Sequence, residues 1–486
     1  MATSIEKHPF LVRCRRVHFV GIGGVGMSGL AELLMNVGYE VSGSDVAESE
    51  VTRRLAGLGA KVFRGHAPEH VRDVDVLVYS SAVAASNPEV AAARRRKIPV
   101  IPRAEMLAEL MRMKYGVAVA GAHGKTTTTS LVAAVLAEGG LDPTTIVGGR
   151  VNSLGSHAHW GSGEYLVAEA DESDGSFLRL IPTVAVVTNI DAEHLDYYGS
   201  FDAVREAFWE FINKVPFYGF SVLCADDEPL RALIPRIERK AVTYSLEGAA
   251  DYTARDVMPD SEGMLFTAYR ATSQLGRVRI RLRGRHNVSN AMAALAVGTE
   301  FGIDFGSVQR ALEEFSGIGR RFEQIGEVNG ITVVDDYGHH PKEIRTVLAA
   351  ARGSWPKRRI VVVFQPHRYS RTQSLLTEFF AAFDEADRLG VLPIYPAGET
   401  PIAGVDARQI SNGVRARKTV AVDFIEGLEE AQSFLLESVK PGDLVITLGA
   451  GDVWKVAPEF VKRLQGEVVA SSVNSLKRDR AGGEAA

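Results

Sequence analysis

The chain has 486 residues, 46% of them hydrophobic and 24% charged, with a formal net charge of −5. That length exceeds one compact core and sets a prior of roughly three domains. The acid excess argues against a general binder of nucleic acid or of an anionic membrane, and Cys14 and Cys224, outside any metal spacing, fit a reducing compartment. The N-terminal stretch lacks the apolar segment of a secretory signal, and no later run reaches the length of a membrane span, so a cytoplasmic protein is expected.

A strand opens at Arg16–Phe19 and runs into Gly21-Ile22-Gly23-Gly24-Val25-Gly26, after which MSGLAELLMNVG has helical spacing. A G-x-G-x-x-G stretch between strand and helix is the Rossmann-like arrangement that seats a nucleotide diphosphate on a helix N-terminus. A second strand over Tyr39–Gly43 ends at Asp45, about 20 residues on, where an acid commonly meets a ribose hydroxyl. Strand–helix units continue through VDVLVYSSAV and IPVIPR to the helical stretch AEMLAELMRMK, where a first domain boundary falls.

Tyr115–Leu131 reads YGVAVAGAHGKTTTTSL. A buried strand, a loop of Gly121, Ala122, His123 and Gly124, then Lys125, Thr126 and Thr127 opening a helix is the P-loop architecture for a polyphosphate. Backbone amides face the anion, the Lys ammonium reaches the β/γ oxygens, and a Thr hydroxyl is placed to ligate Mg2+. Val119 stands where the full motif has a glycine five residues before Gly124, so this loop is short.

Two further strands of this central domain end in acids. YLVA leads into Glu169-Ala170-Asp171-Glu172, and VAVVT leads into Asn189-Ile190-Asp191 and then His194-Leu195-Asp196. Ligands of α/β sheets gather at strand carboxyl ends, so Glu169 is expected beside the P-loop as a Mg2+ ligand, with His194 nearby. A β-rich stretch (AVTYSL, MLFTAYR, RVRIRLRG) precedes Arg285-His286-Asn287 and an alanine-rich helix, and SGIGRRFE marks a second boundary.

Strands alternate with helices again in ITVVDDYGHH, RRIVVVFQPHR, GVLPIYPAG and LVITLGAGD, predicting a doubly wound, mostly parallel sheet. Arg321 at the boundary, Tyr337 and His339 after one strand, and Arg368 and Arg371 after the next are suited to reading a carboxylate or phosphate. His339-His340 lacks a third spaced ligand, which favours hydrogen bonding over metal binding. The resulting α/β fold has three domains: a Rossmann-like domain over residues 1–108, a central P-loop ATPase-type domain over 109–321, and a C-terminal Rossmann-like domain over 322–465. A polar tail over 466–486 is expected to fray. No Ser, Cys or Lys nucleophile has an adjacent base, so the layout suits phosphoryl transfer to a bound carboxylate followed by attack of an amine.

From about Val17 to about Lys462 the chain resembles the Mur ligases, the ADP-forming amino-acid ligases of peptidoglycan synthesis. GIGGVGMSGLAE, GAHGKTTT, EADESDGSFL, RHNVSNA, GRRFE, DDYGHHP and FQPHRYSRT carry the resemblance, most of all to the branch that adds L-alanine to UDP-N-acetylmuramate. The short P-loop is the family's own. The resemblance implies ATP phosphates on Gly121 to Thr127 with Lys125 on the γ-phosphate, and adenine at Asn287. It implies Mg2+ (Mn2+ as an alternative) on Thr126 and Glu169, and a second ion on His194 and Glu169. The UDP-sugar would lie on Gly21, Gly23, Gly24, Val25, Gly26 and Asp45. Arg321, Tyr337, His339, Arg368 and Arg371 would line the carboxylate and amino-acid site, completed when the third domain closes. A monomer or homodimer is expected. Phe208 stands where later ligases of the pathway carry a carbamylated lysine. A recycling ligase that adds a tripeptide, a nicotinamide-dependent oxidoreductase on the first glycine loop, and a non-catalytic nucleotide-gated protein are the competing readings.

Overall fold

A computed structural model describes residues 14–80, 83–84, 86–151 and 156–466; the expected fraying from residue 467 onward lies outside the described residues. Among the described residues, the strands form three sheets. The first contains β1 (Arg16–Val20), β2 (Glu40–Asp45), β3 (Lys61–Arg64), β4 (Val76–Tyr79) and β5 (Val100–Pro102), in the order 3-2-1-4-5 and parallel throughout. This order reverses direction at β1, which opens a crevice at the carboxyl ends of β1 and β4.

The second sheet has ten strands: β6 (Tyr115–Ala120), β7 (Thr144–Val151), β8 (Ser156–His159), β9 (Tyr165–Glu169), β10 (Val184–Val187), β11 (Phe220–Cys224), β12 (Ala241–Ser245), β13 (Tyr252–Pro259), β14 (Met264–Arg270) and β15 (Ser273–Ile280). β6 lies between β9 and β10, parallel to both, and is apolar and buried from Gly116 to Ala120 because helices cover both faces. The helix Lys125–Glu138 follows it and is buried nearly all round, which its uninterrupted TTTTSLVAAVL run permits. Thr129 and Ser130 donate their hydroxyls to the carbonyls of Lys125 and Thr126, so these polar side chains are satisfied inside the helix. Phe208, in the helix Phe201–Asn213, is fully buried and packs edge-on against Phe177 at 5.2 Å. That position is core.

The third sheet comprises β16 (Glu323–Val328), β17 (Ile331–Asp336), β18 (Ile360–Phe364), β19 (Arg388–Val391), β20 (Ala421–Phe424) and β21 (Leu444–Leu448), in the order 16-17-21-18-19-20. β16 is antiparallel to β17 and the others run parallel. β17, β18 and β21 are buried end to end. The first two sheets belong to one compact unit, and the third, from Gly319 onward, to a second unit with two short segments at 259–264 and 282–285. No helix among the described residues is long and apolar enough to cross a membrane.

Candidate active site

β6 delivers the chain into a loop that only glycine can make. Gly121 sits at φ 135° and Gly124 at φ 80°, and a Cβ on Gly121 would come within 2.1 Å of the Thr188 hydroxyl. Thr188 and Asn189, at the end of β10, hold the loop from beside: both donate to the His123 carbonyl, at 2.6 and 2.9 Å, and Asn189 accepts from the His123 amide at 2.8 Å. Lys125 curls back over the loop. Its ammonium donates to the carbonyls of Gly121 (2.6 Å) and Ala122 (3.2 Å) and to Glu172 (2.7 Å).

Glu169 and Thr126 meet as expected. The Thr126 hydroxyl lies 3.1 Å and 3.2 Å from the two carboxylate oxygens of Glu169, which also accepts the Gly148 amide at 2.9 Å. Hydroxyl and carboxylate are the hard oxygen donors that suit Mg2+. His194, at φ 56°, turns Nε2 to within 3.9 Å of Glu172 and 3.8 Å of Glu193. Ligand atoms of Glu172, Glu193 and His194 lie within 4.8 Å of one another. Burial pushes the Glu172 carboxyl up to about 7 although Lys125 pulls the other way, and its Oε2 has no hydrogen-bond partner among the described residues. Burial works against the charge of Lys125 too, but Glu172 and Glu169 hold its ammonium above the usual range. Glu172 and Glu193 thus enter the site, whereas the sequence singled out Glu169 and His194. A raised carboxyl beside a P-loop lysine is a signal that only the fold can display.

Asn287 lies near the start of the helix Arg285–Glu300 and is buried. Its amide oxygen accepts from Asn290, whose own oxygen accepts from the Thr128 hydroxyl at 3.2 Å, tying this helix to the first turn of the P-loop helix.

The first glycine loop is closed by the neighbouring strand. Gly21 and Ile22 amides donate to the Ser44 carbonyl, and Gly23 donates to the Asp45 carboxylate at 2.9 Å. Asp45 therefore braces the loop through Gly23. Gly24 caps the helix Val25–Val37, and a Cβ on Gly26 would approach the Arg103 guanidinium to 3.0 Å. Arg103 also pairs with Asp171 at 3.3 Å, so one cation touches both the glycine loop and the acidic loop after β9. The sequence did not single out Arg103, because nothing local separates it from a surface arginine.

In the second unit the structure gathers the basic residues past β17 and β18. Arg321 stacks over Tyr337 (5.0 Å), Tyr337 meets His339 edge-on (5.5 Å), and His339 faces His367 (5.6 Å). Arg371 lies 3.3 Å from the His367 ring nitrogen, and Arg368, at φ 72°, begins the helix Tyr369–Ser374. Burial, then the neighbouring Arg371, holds His339 down to about 4 despite Glu343. His367 is held to about 3 by burial and by His339 and Arg371. Both rings are neutral at pH 7. His340 caps the helix Pro341–Ser354 and His339 Nδ1 faces the Tyr337 carbonyl at 3.0 Å. Burial raises Asp336 to about 6 while it accepts the amides of Phe322 and Gly338.

Three models of one family match the chain: Mur ligase family, catalytic domain, over residues 16–115; Mur ligase middle domain over 119–298; and Mur ligase, glutamate ligase domain, over 320–451. The UDP-N-acetylmuramate--L-alanine ligase of Desulfatibacillum aliphaticivorans is 56% identical over 445 residues, 92% of this chain and 98% of that one. The enzyme of the same name from Geotalea uraniireducens is 54% identical over 456 residues, covering 94% and 99%. Among solved structures, UDP-N-acetylmuramate-alanine ligase MurC from Thermotoga maritima superposes with a TM-score of 0.80 at 31% identity, covering 93% of this chain and 99% of that one. A murein peptide ligase from Psychrobacter arcticus shares the fold, with a TM-score of 0.69 at 23% identity over 93% and 98% of the chains.

Proposed function

The chain belongs to the Mur ligase family, and we propose that it is the ADP-forming ligase that joins L-alanine to the lactyl carboxylate of UDP-N-acetylmuramate in peptidoglycan synthesis. The observation that carries this reading is identity above one half, over nearly the full length of both chains, to relatives named for that reaction. Residues 1–108 take the UDP-sugar, 109–321 take ATP and 322–465 take the amino acid. The reaction belongs in the cytoplasm, where its nucleotide substrates are.

ATP binds with its phosphates along Gly121 to Thr127, where loop amides and the helix N-terminus meet the anion, and adenine lies toward Asn287. Lys125 exchanges the carbonyls of Gly121 and Ala122 for the γ-phosphoryl oxygens. Thr126 and Glu169 hold Mg2+, with Glu172, Glu193 and His194 as the donor set for a second ion; divalent metal supplies charge neutralisation on the transferred phosphoryl group. The carboxylate oxygen of the sugar's lactyl group attacks the γ-phosphorus, the bond to the β-phosphate oxygen breaks, and ADP leaves. The amine of L-alanine then attacks the acyl carbon, phosphate departs and the amine loses its proton. Arg321, Arg368 and Arg371 supply fixed cations for the alanine carboxylate, and Tyr337 and His339 orient them. His339 is neutral at pH 7 and adds no competing charge.

The test is phosphate release from ATP and Mg2+ with UDP-N-acetylmuramate, adding one amino acid at a time. Release with L-alanine is expected. Release with a tripeptide but not alanine would move the chain to the recycling branch, and silence with every acceptor would defeat the ligase reading. Arg371→Ala tests the amino-acid site. Its KM for alanine should rise about tenfold or more with the KM for ATP unchanged.

A further inference from the structure

The buried carboxylate of Glu89 lies outside every loop assigned above. It sits in the first turn of the helix Pro88–Arg95 and is fully buried. Groups from three other parts of the first sheet converge on it. The Ser44 hydroxyl, on β2, donates to Oε2 at 2.5 Å. From the loop after β3, His66 Nδ1 lies 3.1 Å from Oε2, His70 Nδ1 2.5 Å from Oε1, and the Ala67 amide donates to Oε1 at 3.3 Å. His18, on β1, places Nε2 3.7 Å from Oε1. A buried charge with this many partners is costly to build, and a hydrophobic filling would do as well for stability alone.

The polar network leads to the glycine loop through Ser44. The Ser44 carbonyl accepts the Gly21 amide at 2.8 Å and the Ile22 amide at 3.1 Å, so the residue whose hydroxyl is pinned by Glu89 sets the path of the loop. The next residue, Asp45, takes the Gly23 amide, and its carbonyl takes the Gly65 amide one position before His66. Three loop amides thus hang on two residues of β2, and β2 is tied to Glu89. The amides of Val25 and Gly26, which open the helix Val25–Val37, then lie where the loop directs them, while the Met27 amide is taken by the Gly24 carbonyl at 3.0 Å.

We infer that Glu89 is a positioning residue for the UDP-sugar site, acting through Ser44 on the loop Gly21 to Gly26. The inference rests on the assignment of that loop to the UDP-sugar. Glu89 touches no substrate; it fixes the rotamer and height of Ser44, and through them the amides that meet the diphosphate.

Two variants test it, Glu89→Gln, which keeps the volume and removes the charge, and Ser44→Ala, which keeps the charge and cuts the link. Each should raise the KM for UDP-N-acetylmuramate and its Kd by calorimetry about tenfold, with the KM for ATP and kcat at saturation near parental values. A purely structural role would instead lower the melting temperature and depress all parameters together. Should Glu89→Gln fail to fold, Ser44→Ala decides, and an unchanged Kd in that variant overturns the inference. A parental protein that does not bind UDP-N-acetylmuramate would defeat the loop assignment and this proposal with it. Parental binding with equally tight variants would defeat this proposal alone.

Discussion

The two glycine loops share a plan and are filled in opposite ways. Each follows a buried parallel strand and opens a helix, after Val20 in the first sheet and after Ala120 in the second. In the first, the neighbouring strand supplies an anion, since the Asp45 carboxylate takes the Gly23 amide. In the second, the helix itself supplies a cation, since the Lys125 ammonium takes the Gly121 and Ala122 carbonyls. The buried carboxylates behind them differ too. Burial disfavours the charge on Glu89, but the nearby His18 and the hydrogen bonds with Ser44 and His70 outweigh it and hold the group down to about 2, whereas burial prevails at Glu172 and lifts it to about 7. The difference teaches what each loop is for. On the assignment proposed above, the first loop would offer a diphosphate rigid amides, and the second would offer a departing phosphoryl group a cation that can leave its carbonyl partners for it.

Lys125→Ala breaks the second loop outright. ATP-dependent phosphate release should fall by about a thousandfold or more, while the circular dichroism spectrum and UDP-sugar affinity stay parental. Near-normal turnover would mean that the loop does not work on the γ-phosphate. The first loop has no counterpart to this experiment, because it contains no cation to remove.

A smaller contrast comes from the same position in each loop, the glycine just before the helix. Gly124 needs φ 80°, and a Cβ there would lie 2.6 Å from the Asn290 side-chain oxygen. Gly24 sits at φ −65°, with its nearest neighbour 3.4 Å from an added Cβ. Gly124→Ala should therefore cost about 1–2 kcal/mol of stability from backbone strain alone, and more through Asn290. Gly24→Ala should unfold within about 1 kcal/mol of the parent. Urea unfolding of both variants checks the pair, and equal losses would erase the distinction.

Asp45→Ala sharpens the role of the anion in the first loop. Freeing the Gly23 amide should raise the KM for UDP-N-acetylmuramate about tenfold and leave the KM for ATP alone. A variant with parental kinetics would reduce Asp45 to a turn residue.

What the sequence displayed and what it hid divide along the range of the interactions. Lys125 and Thr126 were legible because strand, glycine loop and helix are contiguous, and Glu169 because a strand ends there. The spacing of Asp45 suggested a ribose contact, whereas its bond to Gly23 requires β2 to lie beside β1 in the register Val20 to Ser44. Glu172 and Glu193 look like any acidic loop until β9 and β10 flank β6. Strands β7 and β8 escaped notice because TTIVGGRV and SHAH carry little alternation. The basic cluster of the third sheet was legible residue by residue, yet the approach of His339 to His367, ring centroids 5.6 Å apart, depends on β17 and β18 both flanking β21.

The smallest expected effect concerns pH. A carboxyl raised from the usual 4.5 to about 7 in the folded chain contributes stability that is full below 4.5 and lost as pH rises through 7. Glu89, held to about 2, contributes the opposite dependence, and only well below pH 5. Between pH 5.5 and 8 the Glu172 term therefore acts without its counterpart from the first sheet. Glu172→Gln, which cannot titrate, should narrow the fall in melting temperature over that interval by about 2 °C relative to the parent. The same interval measured on Glu89→Gln should match the parent. If both variants track the parent, the ion pair with Lys125 keeps Glu172 charged throughout, and the second loop carries a fixed anion as the first does.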